Sequence, residues 1–190
     1  MKKIVILYLL LLMATFASAQ RSIHCLIKTS LGDIAIELYP DKAPVTVANF
    51  MTYVDKKLYK GSSFFRTCTP ANEANRKVKI EVIQGGNMPE SLHPDSIKIE
   101  TTQQTGLLHK DGTLSMARSG PNSATSEFFI CINDQPALDY GGARNPDGYG
   151  FAAFGKVTAG MDVVRKIQSQ KANGQRLVEP VKIEDIIRVK

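Results

Sequence analysis

A hydrophobic period of two dominates this chain, and helical spacing interrupts it only twice. In "SIHCLIKT" Ile23, Cys25 and Ile27 alternate, and after a turn at Leu31-Gly32-Asp33 the alternation resumes at Ile34, Ile36 and Leu38 in "IAIEL". Such alternation marks half-buried strands, and the pair reads as a hairpin. Strand signals return in "SSFFRT", "KVKIEVIQ", "GTLSMAR", "EFFICIN", "YGFAAFGKV" and the closing "VKIEDIIRV". The first helical segment lies in "DKAPVTVANFMTYVDKKLY", where Val47, Phe50, Met51, Val54 and Leu58 share one face. Pro44 suits its first position, and Gly61 follows its last turn. The second helix is expected in "GMDVVRKIQSQK", ending near Asn173-Gly174. Many strands with two helices argue for an all-β barrel or sandwich, not alternating βαβ units. A barrel needs its ends covered, and two amphipathic helices suit that task.

The start of the chain has a different character. "MKKIVILYLLLLMATFASAQ" joins a basic start at Lys2 and Lys3 to an apolar run and a small-residue site at Ala17-Ser18-Ala19. That is the pattern of a secretory signal peptide. The uncharged run from Ile4 to Ala19 falls short of the roughly 20 apolar residues that a membrane span needs. Residues 1–19 are therefore expected to be cleaved, leaving one domain over 20–190 and no stable membrane insertion. Cys25 lies too far past the site to accept a lipid. The net charge of +6 falls to +4 without Lys2 and Lys3, and the cations are spread out, which argues against a nucleic-acid partner. An export signal implies an oxidising compartment, yet Cys25, Cys68 and Cys131 are odd in number and widely spaced. They permit at most one bridge, or buried thiols. His24, His93 and His109 show no metal-ligand spacing, so no metal site is expected.

The stretch "GSSFFRTCTP" sets Arg66 behind two phenylalanines. A guanidinium keeps its charge and is seldom buried without a partner. From spacing alone a strand-edge ion pair explains it. A wider context changes that reading. "FFRT" is followed in order by "VIQGG", "GTLSMARSGPNSATSEFFICIND" and "FGKVTAGMDVV". This ordered set resembles the cyclophilin-type peptidyl-prolyl isomerases, of a bacterial exported type, and the likeness runs from about Ile23 to the end. It implies a closed eight-stranded antiparallel β-barrel capped by two α-helices, with the substrate groove outside the barrel. It implies isomerisation of X–Pro bonds in unfolded or flexible exported proteins, without a cofactor, by a monomer in the periplasm or outside the cell. A cyclophilin-like module that binds proline segments, or chaperones them with weak turnover, is the competing reading.

Under this resemblance Arg66 is the catalytic residue and Gln84 the glutamine that holds substrate backbone and steadies the arginine. Alternation puts Glu127, Phe129 and Cys131 on one face and Phe128 on the other. Phe129 is then the floor of the proline pocket and Phe128 belongs to the core. Ala117, Arg118, Leu138 and Phe151 complete the substrate-binding set. The chain also departs from the family. Glu127 stands in place of an amide and Arg118 in place of a common asparagine. Phe151 replaces a histidine or tyrosine, for which Tyr149 is placed to compensate. Ala137 occupies a variable position where some members carry a tryptophan that contributes to cyclosporin binding, so weak binding of that drug is expected. Residues 67–80 form a longer connection than usual, read as a loop around Ala71 to Asn75 followed by a lengthened strand. Glu81 then falls where the family prefers an aromatic pocket residue. "LDYGGARNPDGYG" reads as a long loop at the groove mouth, since a strand and not a helix follows it.

The leader makes a first prediction. Intact-mass measurement of the protein from its native host should give a chain beginning at Gln20. A full-length, membrane-retained chain would contradict this.

Overall fold

The computed structural model describes residues 22–92 and 95–189, so the expected leader and His93 lie outside the described residues. β1 (Ile23–Thr29) and β2 (Gly32–Leu38) form the opening hairpin, in register from Ile23↔Leu38 to Thr29↔Gly32. Gly32 has φ +133°, and a Cβ there would come within 2.9 Å of a Val163 methyl, so glycine is needed at this corner. α1 (Pro44–Asp55) follows, with Pro44 in its first turn. Its Val45 and Thr46 N–H groups donate to the Glu100 carboxylate at 3.0 and 2.8 Å. An anion on the first turn satisfies donors that the helix cannot.

The remaining strands are β3 (Ser63–Cys68), β4 (Val82–Gly85), β5 (Thr113–Met116), β6 (Phe128–Cys131), β7 (Ala152–Ala159), β8 (Ala172–Asn173) and β9 (Arg176–Val189). The sheet order is β1-β2-β7-β5-β6-β4-β3-β9, and β9 pairs again with β1 through Lys28↔Asp185, closing an eight-stranded antiparallel barrel. β8 is a two-residue addition to β9. Beside α1 and α3 (Met161–Gln168) there is a one-turn α2 (Thr102–Thr105), a third helix beyond the two expected. α2 carries a capping box, in which the Thr101 N–H donates to Gln104 Oε1 at 2.9 Å.

Three expected boundaries move. α1 stops at Asp55, with Lys57 at φ +55° just beyond it, so Leu58 and Gly61 lie in the turn that follows. α3 stops at Gln168, because Asn173-Gly174, with Gly174 at φ +58°, turns the chain into the β8–β9 hairpin. The expected long strand through "KVKIEVIQ" is only β4, so 67–80 adds a loop and no extra ladder.

Inside the barrel, Ile27, Ile34, Ile36, Leu38, Phe64, Leu114, Phe128, Phe154 and Ile183 are all fully buried or nearly so. Phe50 of α1 packs on Phe128 edge-on at 5.4 Å and on Phe154 at 5.2 Å. The helix thus closes one end with an aromatic plug. A second apolar cluster lies apart from this core and comprises Cys68, Ile80, Val82, Phe129, Cys131 and Leu138. Cys68 and Cys131 both pair with Val82, from strands on either side of it. Two strand spacings separate them by about 10 Å, beyond the roughly 7 Å Cα limit for a bridge. All three cysteines are free and buried. Burial pushes the Cys25 and Cys68 thiols up to about 11, so they are poor nucleophiles.

The neighbouring phenylalanines make the second prediction. Phe128→Ala should cost about 3–5 kcal/mol in chemical denaturation, because it empties a sealed core site. Phe129→Ala should cost clearly less, because its void would open onto the outer groove. Equal losses would show that the two faces are not distinct.

Candidate active site

β3 carries Phe64 and Arg66 two positions apart, and strict alternation would send both to one face. The structure breaks that alternation. Against β4, Phe64 pairs with Gly85 while Arg66 pairs with Gln84, so Phe65 is the extra residue of a β-bulge. The register against β9 shifts at the same place. Phe64 therefore stays fully buried in the core, while Arg66 turns out to an external groove of about 480 Å³.

The groove contains all the expected site residues. Arg66, Gln84, Ala117, Arg118, Glu127, Phe129, Leu138 and Phe151 line it. Its apolar floor is Phe129, with Phe151 edge-on at 5.3 Å and 90°. Beneath the floor the His109 ring stacks on Phe129 at 6.0 Å. One ring nitrogen of His109 lies 2.7 Å from Asp139 Oδ1 and the other 2.9 Å from Ser115 Oγ. His109 is 1 % exposed and supports the floor from behind, while its partner Asp139 is only part-buried.

Arg66 is restrained from two sides. Its Nη1 donates to Gln84 Oε1 at 2.6 Å, and its Nε and Nη2 both donate to Gln175 Oε1 at 2.9 and 2.6 Å. Gln84 in turn donates from Nε2 to Glu127 Oε2 at 2.6 Å. A carboxylate only accepts, so Glu127 fixes which way the Gln84 amide points and aims its oxygen at the guanidinium. The change from amide to carboxylate thus reinforces the arrangement.

Comparison with known proteins bears on what this groove does. Residues 24–188 match the family described as cyclophilin type peptidyl-prolyl cis-trans isomerase/CLD. The chain belongs to this family. It is 41% identical over 172 residues to a peptidyl-prolyl cis-trans isomerase of Acinetobacter baylyi, covering 88% of this chain and 82% of that protein. It is 35% identical over 162 residues to peptidyl-prolyl cis-trans isomerase B of Escherichia coli, covering 84% of this chain and 92% of that one. A crystal structure of a Cryptosporidium parvum cyclophilin type peptidyl-prolyl cis-trans isomerase superposes with a TM-score of 0.71 at 22% identity, covering 90% of this chain and 99% of that chain. The last likeness speaks for the fold alone. The protein is a peptidyl-prolyl cis-trans isomerase.

Several details of this cyclophilin differ from the sequence expectations. Arg118 lines the groove, but its guanidinium is engaged elsewhere. It donates to Gly150 O at 2.7 Å, clasps both Asp147 oxygens at 2.8 Å, and lies 5.1 Å from the Phe151 ring centroid. It holds the 139–150 loop and the Phe151 ring in place. Gly150, at φ +63°, lets that loop pass within 2.5 Å, measured from a Cβ it lacks, of the Asp139 backbone. Tyr149 does not compensate for Phe151: it lies exposed against Tyr140, with ring centroids 6.3 Å apart, and is not among the lining residues. Glu81 is not a pocket wall either. Its Oε1 accepts from Asn133 Nδ2 at 3.0 Å, while Ile80 and Val82 line the groove and give it an aliphatic side.

The 67–80 segment is a turn around a buried acid. Glu73 is 1 % exposed. It is clasped by both terminal nitrogens of Arg144, and its Oε2 also accepts the Ile80 N–H at 2.8 Å. The Ile80 N–H is thus taken by a side chain just before β4, and the ladder to β3 runs no further than Cys68↔Val82. Glu73, Gln175 and Arg144 were absent from the sequence-derived site. Each reads locally as a solvated loop residue.

Glu73 sets an acid limit, the third prediction. Burial opposes its charge, but the bonds from Arg144 and from the Ile80 N–H outweigh burial and hold its carboxyl below the ordinary glutamate value of 4.5. A carboxyl lowered in the fold contributes stability that is fully present above its unfolded value. That contribution is lost as pH falls through the lowered folded value. Urea midpoints should therefore drop below about pH 4.5 in the wild type, and less steeply in Glu73→Gln/Arg144→Met. Parallel profiles would show that the pair does not govern acid stability.

Proposed function

We propose that this isomerase acts on X–Pro bonds in exported, unfolded or flexible polypeptides, as a monomer in the periplasm or outside the cell, with Arg66 as its catalytic residue. The supporting observation is a preorganised guanidinium beside an apolar floor formed by Phe129, Phe151, Leu138 and Ala117. A proline ring fits such a floor. The leader pattern supports export.

The chemistry follows from the amide. Rotation about a peptide bond meets a barrier of about 18–20 kcal/mol, because the nitrogen lone pair is delocalised into the carbonyl. X–Pro bonds populate both isomers, and exchange takes tens to hundreds of seconds. The catalyst need break no covalent bond. It must favour the twisted state, where the prolyl nitrogen regains its lone pair. A fixed cationic donor aimed at that nitrogen binds the twisted state better than either planar one. Of the five N–H groups of Arg66, three are used by Gln84 and Gln175, which leaves two for the substrate. Gln84 has one amide hydrogen beyond its bond to Glu127 for substrate backbone.

The fourth prediction tests Arg66. In a protease-coupled assay on a proline tetrapeptide, Arg66→Ala should lower the catalysed rate about 10²-fold or more, the scale of one lost transition-state donor at roughly 2.7–4 kcal/mol. Arg66→Lys should recover little, since an ammonium cannot reproduce the fork. Melting temperature should stay near that of the wild type. Early melting with near-normal turnover would make Arg66 a structural residue.

A further inference from the structure

The mechanism above uses Gln84 and Glu127 on one side of Arg66. The other side is equally built and comes from parts of the chain that the reaction does not obviously require. We propose that Gln175 and the buried Glu73 are positioning residues for catalysis, and that the 67–80 segment is present in this chain as the support of the catalytic guanidinium. This rests on the reading of Arg66 as the transition-state donor.

Gln175 Oε1 takes two of the three bonds that hold the guanidinium. A single oxygen accepting from Nε and Nη2 fixes the whole edge of the planar group, and so fixes the direction of the remaining N–H groups. The amide could in principle flip and present its NH₂ to the cation. Glu73 prevents this: Gln175 Nε2 donates to Glu73 Oε1 at 2.8 Å. An acceptor-only group behind the amide forces its oxygen forward. Glu127 does the same for Gln84. The guanidinium thus sits between two amide oxygens, each oriented by a carboxylate.

Glu73 is suited to this work because it cannot move. It receives Arg144 Nη2 and Gln175 on Oε1, and Arg144 Nη1 and Ile80 N on Oε2. All of the roughly four acceptor positions of a carboxylate are occupied. Desolvating an acid is costly unless it is bonded in this way. The backbone is held too. Thr67 N donates to Gln175 O at 2.8 Å, and Asn72 Nδ2 bridges Thr67 O at 3.0 Å and Gly174 O at 3.2 Å. Asn72 and Glu73 both belong to the added segment, and both act on the turn that carries Gln175.

The test is a double-mutant cycle between Gln175→Met and Arg66→Ala in the full chain, read by tetrapeptide turnover and peptide affinity. Methionine keeps the length and removes both polar functions. Gln175→Met should lower kcat roughly tenfold, a tenth of the wild-type rate, with KM little changed and melting close to wild type. In the Arg66→Ala background it should cause no further loss, since there is nothing left to position. Full turnover in Gln175→Met, or the same tenfold loss without Arg66, overturns the proposal while leaving Arg66 catalytic. Near-normal turnover in Arg66→Ala alone removes the reading beneath it instead. A wild-type measurement covers the case where Gln175→Met does not fold. Hydrogen exchange of the Arg66 Nε–H, followed by ¹⁵N NMR, should be slow, and exchange at the rate of a free arginine would overturn the proposal.

Discussion

The pairing of β1 with β9 turns a sheet into a closed barrel, and the position of everything else follows from it. Closure removes the edges and leaves two faces. The inner face fills with large apolar side chains, and α1 adds Phe50 to seal one end. Among the described residues the interior is filled by packed side chains. The groove lies outside, on outward residues of β3, β4 and β6 and the loops that lean over them. The second apolar cluster, around Phe129 and Leu138, is its floor. It owes its rigidity to a core that it does not share.

Much of this was legible in the sequence, for a local reason. The period of two in "EFFICIN" assigns Phe128 inward and Phe129 outward, and the structure does the same. The helical stripe in "VTVANFMTYV" packs its apolar face as read. Arg66 was harder. Alternation counted from Phe64 would bury it, and nothing in "SSFFRT" announces the bulge at Phe65 that turns it outward. The bulge is set by partners on β4 and β9, not by β3 alone.

The supporting residues were not legible at all. Glu73 sits in "PANEANRK", a polar run whose bland reading is a solvated turn. Its burial depends on Arg144, 71 residues away, and on Gln175, 102 residues away. Gln175 meets Arg66 across 109 positions. Such contacts leave no periodic trace. The one available signal was the length of the 67–80 connection, which marked where to look without saying what it held. Glu81 and Tyr149 failed for the complementary reason: position in a motif does not fix a side chain's direction when the neighbouring loop has changed.

The four bonds on Glu73 also say how one side of the groove is held. A segment this long beside an active site would ordinarily invite comparison with a flap. Here it is bolted to the 139–150 loop by Arg144 and to the β8–β9 turn by Asn72, so it behaves as masonry. That side of the groove is tied to two separate loops at once, so displacing it would break bonds to both. What enters the groove therefore meets a kerb set in place beforehand, not one that it has to lay for itself.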